Sequence, residues 1–270
     1  MRATSEASMR AAADRFSPVV TAAGTDAGRL GEEIFAVVDA LDGSAGLRRA
    51  LTDPTRAAQD KAALAERALG SAVSPEVVAL VAGMARDRWS ADRDLADALE
   101  QVGTDTYLSA AQAGGTLLDV EDEIFRLGRT LAEQRELRVA LGNADLPAEN
   151  RVGLIGALLP TASPITRALV SRTVGALRRR SVTGQLAAIG ELAAARRRRL
   201  VATVLAARPL TQAQRTRLGE ILSRVYDQPV HLNVGVDPTV VGGLRIQVGS
   251  EVLDATILSK LEEARRRIAG

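Results

Sequence analysis

The sequence predicts a mainly α protein: two tandem helical bundles followed by a small α+β C-terminal domain. Three observations carry this. Over the first 200 residues, apolar side chains recur at three- and four-residue spacing between short polar breaks. A twenty-residue stretch of that region recurs 90 residues later. After Arg199 the spacing changes to strict alternation, the period of a strand. The expected divisions are 1–112 for the first bundle, 113–200 for the second and 201–270 for the α+β domain.

The leading helix is expected around residues 4–20, where Met9, Ala13, Phe16 and Val20 share one face. Thr25-Asp26 is placed to cap a second helix carrying Leu30, Ile34, Val37, Val38 and Leu41. A short helix with Leu47 and Leu51 ends at Asp53-Pro54, because proline disfavours helix in the residue before it. Thr55 is the expected cap of the next helix, which runs to Leu69 and stops at Gly70. Ser74-Pro75-Glu76 reads as a hydroxyl cap followed by proline at the first helical position. Ser90 begins a helix with Leu95, Leu99 and Val102, closed by Gly114-Gly115.

The pattern then restarts. Residues 32–51 align with 122–141 without a gap, with eight identities in twenty positions. Glu33, Ile34, Phe35, Leu41, Leu47, Arg48, Ala50 and Leu51 face Glu123, Ile124, Phe125, Leu131, Leu137, Arg138, Ala140 and Leu141. Leu64 and Leu69 continue onto Leu154 and Leu159, and after one lost residue Ser74-Pro75 meets Ser163-Pro164. This is an internal duplication of a helical bundle. The second copy either lacks a first helix or borrows the one at 91–112.

Beyond residue 200, Leu200–Leu205 reads as a short strand and Pro209 ends it. Thr211 and Gln214 have capping-box spacing before a helix with Leu218, Ile221, Leu222 and Val225. Val230, Leu232, Val234 and Val236 alternate, as do Leu244, Ile246 and Val248. Gly249-Ser250 fits a tight turn into a strand Glu251–Leu253, and a final helix carries Ile257, Leu261 and Ile268. The expected order is β-α-β-β-β-α.

Composition narrows the chemistry. Hydrophobic residues make up 46% of the 270-residue chain and charged residues 25%, so a core is available. Aromatics are only 2%, which leaves Leu, Val, Ile and Ala to build it. No cysteine is present, which excludes disulfides and thiolate chemistry, and the one histidine, His231, cannot make a histidine-pair metal site. No apolar run approaches the roughly 20 residues needed to cross a bilayer, and MRATSEASMR has no signal-peptide core. The expectation is a cytosolic or peripherally attached protein.

Candidate sites are few. No phosphate-binding glycine loop occurs, and Gly242-Gly243 reads as the entry to a strand. No serine sits in a G-x-S-x-G elbow to pair with His231. Glu32-Glu33 and Glu121-Asp122-Glu123 read as carboxylates in first helical turns, where they suit the dipole. Three arginine clusters, Arg178–Arg180, Arg196–Arg199 and Arg265–Arg267, lie at expected helix ends, where cations suit the dipole. They also raise the alternative of an arginine-rich, helical nucleic-acid-binding protein. A net charge of only +2 and the lack of neighbouring aromatics for base stacking argue against it.

The stretch from Val230 to Gly249 resembles the C-terminal signature of the δ subunit of the F-type ATP synthase, the oligomycin-sensitivity-conferring protein family. The match is Val236-Asp237, then Val240-Val241-Gly242-Gly243-Leu244-Arg245, then Gly249, Glu251, Asp254 and Leu261. The family's N-terminal domain is a helical bundle, as is read here. The departure is the extra bundle, which makes the chain similar to a long, Arg- and Ala-rich actinobacterial form, here free-standing.

The resemblance implies a non-catalytic stator subunit that ties the catalytic head to the peripheral stalk, coupling rotation to ATP synthesis and hydrogen ion transport. It implies as partners the N-terminal helix of an ATP synthase α subunit and a b-type stalk subunit. It implies no cofactor, no metal, no small-molecule substrate and no nucleic acid. The membrane is reached only through the complex, at the cytoplasmic face. Asp237, Gly242, Gly243, Arg245, Gly249 and Asp254 are the structural signature. Met9, Ala13 and Phe16 on the leading helix are the candidate groove for the partner helix, with the first copy as the expected site.

Overall fold

The computed structural model of the protein describes residues 1–178, 181–198, 200–226, 230–237, 243–248 and 251–256. The chain divides into two compact units, Met1–Ala194 and Ala195–Gly270.

The first unit is helical. Helix α1 (Ala3–Ala23) leads through a 3-10 turn at Gly24–Asp26 into α2 (Ala27–Gly43), followed by α3 (Ala45–Thr52), α4 (Ala58–Leu69), α5 (Pro75–Arg86) and α6 (Asp92–Ala113). Then come α7 (Leu117–Glu133), α8 (Arg135–Gly142), α9 (Ala148–Leu158), α10 (Pro164–Gly175) and α11 (Val182–Arg198). At offset 90 the bounds of α2 and α3 fall on those of α7 and α8. Ser44 caps α3, accepting the Leu47 N–H at 3.2 Å, and Ser163 caps α10, accepting the Thr166 N–H at 3.1 Å. Proline opens both α5 and α10.

Two expected caps act otherwise, and a third, Ser74, holds the N-cap position of α5 without a side-chain cap bond. Thr25-Asp26 lies within the 3-10 turn, and Asp26 makes no side-chain cap bond to α2. Thr55 sits too far before α4 to cap it; its N–H and hydroxyl both donate to Asp53 Oδ1, at 2.9 and 2.7 Å. Ser90 also precedes its helix, and α6 begins at Asp92.

Local bonds repeat with the helices. Arg48 Nη1 donates to the carbonyls of Leu41 and Asp42, and Arg138 Nη1 to those of Leu131 and Ala132. Buried Lys61 donates to the Asp87 carbonyl after α5, and buried Arg151 to the Val174 and Gly175 carbonyls at the end of α10. A cation is stabilising at a helix C-terminus, where carbonyls are left without intrahelical donors. That explains why both copies tolerate a buried charge at this position.

The apolar side chains form two clusters. Phe16, Ile34, Leu41, Leu51, Val77, Val81, Met84, Leu95 and Leu99 belong to the first. Leu117, Ile124, Leu131, Leu141, Ile155, Leu169, Val170 and Leu186 belong to the second. Helix α6 lines both, with Leu95, Leu99 and Val102 in the first and Leu108 and Ala111 in the second. The buried positions of α1 are Ser5, Ala12, Phe16 and Val20. At offset 90 they become Leu95, Val102, Thr106 and Ala110, all buried in α6. The last helix of the first copy is therefore also the first helix of the second, and the expected division at 112/113 falls at its end.

In the second unit, β1 (Leu200–Ala206), α12 (Gln212–Val225), β2 (Val230–Val236), β3 (Gly243–Val248) and β4 (Glu251–Thr256) follow the expected order. The strands lie β2-β1-β3-β4, with β1 parallel to β2 and the other pairs antiparallel. The β1-α12-β2 crossover supplies the connection that a parallel pair requires. Thr211 and Gln214 form the capping box, with N–H donors at 3.3 and 2.9 Å. Ala202, Val204, Leu222, Ile246 and Val248 make the core. The expected Gly249-Ser250 turn and the final helix lie outside the described residues.

Candidate functional site

Among the described residues no cluster of His, Cys, Asp and Glu could hold a metal ion, and no helix is long and apolar enough to cross a membrane. Among the described residues, one convergence of charged side chains lies where the second copy meets the first.

Arg172 on α10 reaches across to α2 and α6. Its Nε and Nη2 donate to Glu100 at 3.1 and 2.7 Å, and its Nη1 to Asp39 at 2.6 Å. Its guanidinium carbon lies 4.8 Å from the centroid of the Phe35 ring. The Phe35 ring also stacks on Tyr107, at 5.5 Å between centroids. Arg178, just after α10, pairs with Asp42 of α2 and with Asp97 of α6, the latter at 2.6 Å. Both arginine side chains are nearly buried, at 10% and 13% exposure. Burial opposes the Arg172 charge, but the Glu100 and Asp39 carboxylates outweigh it and raise its pKa. Beneath the clamp α2 and α6 approach closely: a β-carbon on Gly103 would lie 2.7 Å from the Phe35 ring. Two bidentate-capable cations and four carboxylates thus hold one bundle against the other.

This clamp was not legible as a motif, yet the repeat carries its signal. Identities mark the shared fold. Differences mark the junction: Asp39 aligns with Arg129, Asp42 with Ala132, and Arg172 with Gly83. Arg178, expected as helix-end charge or as a contact for an anionic partner, is enclosed by carboxylates of its own chain. Arg179, Arg180, Arg199 and Arg265–Arg267 lie outside the described residues.

Glu33 and Glu123 do more than favour a dipole. They sit beyond the first turns of α2 and α7, and each accepts the N–H that opens the fifth helix of its copy: Ser74 at 2.8 Å and Ser163 at 3.0 Å. The Glu33 carboxyl is raised by burial but lowered further by Ser74 and the Arg29 charge, leaving it below the usual value of 4.5.

Of the candidate groove residues, Phe16 is 4% exposed and belongs to the first core, while Met9 and Ala13 are half-buried against it. Apolar surface is instead exposed elsewhere: Leu118 and Phe125 on α7, Val139 on α8, Leu154 on α9, and Ile221 and Val225 on α12.

Among the signature residues, the Asp237 N–H donates to the Ala206 carbonyl at 3.0 Å, tying the end of β2 to β1. Gly243 opens β3 at φ +82°, a conformation that side chains rarely adopt. Arg245 is opposite Leu205 on β1 and Asp254 on β4. These are roles in sheet geometry. Gly242 and Gly249 lie outside the described residues. His231 stands opposite Val201 in the β1–β2 register.

The ATP synthase delta (OSCP) subunit family matches residues 105–268, from within α6 through the second unit. Relatives extend the likeness to the first bundle. An ATP synthase subunit delta of Beutenbergia cavernae is 62% identical over the whole of both chains. That of Streptomyces coelicolor is 45% identical over all of this chain and 98% of its own, and that of Kineococcus radiotolerans 43% identical over 98% and 96%. The chain belongs to the ATP synthase delta (OSCP) subunit family, a non-catalytic component of the peripheral stalk.

Proposed function

We propose that the chain ties the top of the catalytic head to a b-type stalk at the cytoplasmic face of the membrane, so that the head does not turn with the central shaft. The observation that carries this reading is a family match running from α6 to residue 268, joined to full-length relatives named as delta subunits. A stator must pass torque between its ends without yielding. The shared helix α6 and the Arg172–Arg178 clamp supply stiffness between the two bundles.

The head-facing partner in this reading is the N-terminal helix of an α subunit, received beside the leading helix of a bundle. By the repeat, two helices qualify as that wall, α1 and α6. Beside α6, α10 is already met by α2, with Arg172 against Phe35 and Asp39. That favours α1, where Met9 and Ala13, half-buried against the first core, keep part of their surface for an incoming helix and Phe16 anchors the wall from behind. The second unit is the proposed stalk-facing part, with Ile221 and Val225 as an exposed apolar edge of α12.

Purification of the tagged full chain from membranes tests this reading. The ATPase α, β and b-type chains should come with it; recovery of the chain without them rejects it. Titration of the α N-terminal peptide should show a negative heat-capacity change with the wild-type chain and none with Ala13→Arg.

A further inference from the structure

We infer that the outer face of α7, centred on Phe125, docks a helix from another subunit of the complex, one that lays a basic residue over the Phe125 ring. The inference rests on the stator reading and adds a second contact to it.

Phe125 is 64% exposed and Leu118, two turns earlier on the same face, is 60% exposed. Their neighbours Ile124 and Leu131 are buried as Ile34 and Leu41 are, so α7 is seated in its bundle as α2 is in the first. Phe125 is therefore not a displaced core residue. It is the repeat counterpart of Phe35, which is 7% exposed. What covers Phe35 is on view: the Tyr107 ring stacked at one side and the Arg172 guanidinium at 4.8 Å. The same position in the first copy thus shows the chemistry of its cover, a flat ring from α6 and a cation from α10.

The charges along α7 orient that helix. Asp119 and Asp122 are exposed on the N-terminal side of Phe125, and Arg126 and Arg129 on the C-terminal side. Asp122 pairs with Arg126 and Arg129 with Glu133, all four more than half exposed. Such surface pairs hold weakly and re-pair easily. In the first copy the residue one turn after the phenylalanine is Asp39, which binds Arg172. Here it is Arg129, so the incoming cation belongs at the Asp122 end instead. The partner is then an amphipathic helix with aliphatic residues on Leu118 and Phe125, a basic residue toward Asp122 and an acidic residue toward Arg129. The charge pattern fixes its direction as well as its place.

The test uses the full chain within the complex purified from membranes. Position 125 carries the photocrosslinking amino acid p-benzoylphenylalanine, and the adduct is mapped by mass spectrometry. The expected adduct lies in a helical segment of another subunit with Lys or Arg within one turn. An adduct with lipid, with this chain or a second copy of it, or no adduct, overturns the inference. Phe125→Glu and Leu118→Glu should keep the wild-type Tm yet weaken binding to complex stripped of this subunit by about tenfold or more. Unchanged binding by both variants also overturns it. Wild-type chain that fails to bind the stripped complex sinks the stator reading itself, a separable outcome.

Discussion

Arg172 lies over the ring of Phe35, 4.8 Å from its centroid, and so joins a helix of the second bundle to a helix of the first. The same guanidinium holds Glu100 at 2.7 Å and Asp39 at 2.6 Å. Removing it leaves Glu100, at 16% exposure, with only the longer contact to Arg178 at 3.9 Å. Arg172→Ala should cost about 2–3 kcal/mol in urea unfolding. Arg172→Lys should recover only part of that, because an ammonium cannot reach both carboxylates in one plane. A loss below about 0.5 kcal/mol for the alanine variant would remove the clamp from the account.

The two phenylalanines that align in sequence should part in thermodynamics. Phe35→Ala empties a buried site and should destabilise by about 3–5 kcal/mol. Phe125→Ala removes a ring that is 64% exposed and should fall within about 0.5 kcal/mol of wild type. Chemical denaturation of both variants in parallel checks this, and equal losses would show that the copies are packed alike.

Stability should depend on pH through Glu33. Its folded pKa is below the usual 4.5, so the stability it contributes is present above about pH 4.5 and is lost as pH falls through the folded value. Glu33→Gln should cost about 1 kcal/mol at neutral pH by weakening the bond to the Ser74 N–H. The gap between wild type and variant should narrow as the pH falls below about 4.5. A gap that widens in acid would contradict the assignment of the charge to that bond.

Much of this fold could be read along the chain because its causes are local. Pro75 and Pro164 start helices, Thr211 and Gln214 close a capping box, and alternation from Val230 to Val236 marks a strand. Thr55 does not cap α4 because the helix begins only at Ala58, and the Thr55 N–H and hydroxyl turn back to Asp53. The double use of α6 stayed open because both of its faces carry apolar residues, and periodicity alone does not say what each face meets. The Arg172 clamp was hidden for a different reason: its carboxylates lie 72 and 133 residues away, beyond any spacing rule. The groove residue Phe16 shows the limit of a helical face, since a stripe can face the core of its own bundle as well as a partner.

Gly243→Val should unfold the second unit's sheet and touch no ligand site. At φ +82° a β-branched residue is strained by on the order of 1–2 kcal/mol, before any crowding. Loss of assembly should therefore track loss of Tm across a series Gly243→Ala, Asn and Val, with Asn the mildest. A variant of wild-type Tm that no longer assembles would make position 243 a direct contact.

ATP-driven proton pumping reports whether this chain keeps the head from turning with the shaft. Membranes stripped of the chain should still hydrolyse ATP but should not build a proton gradient, and added full-length chain should restore the gradient. A gradient of undiminished size in stripped membranes would contradict the account.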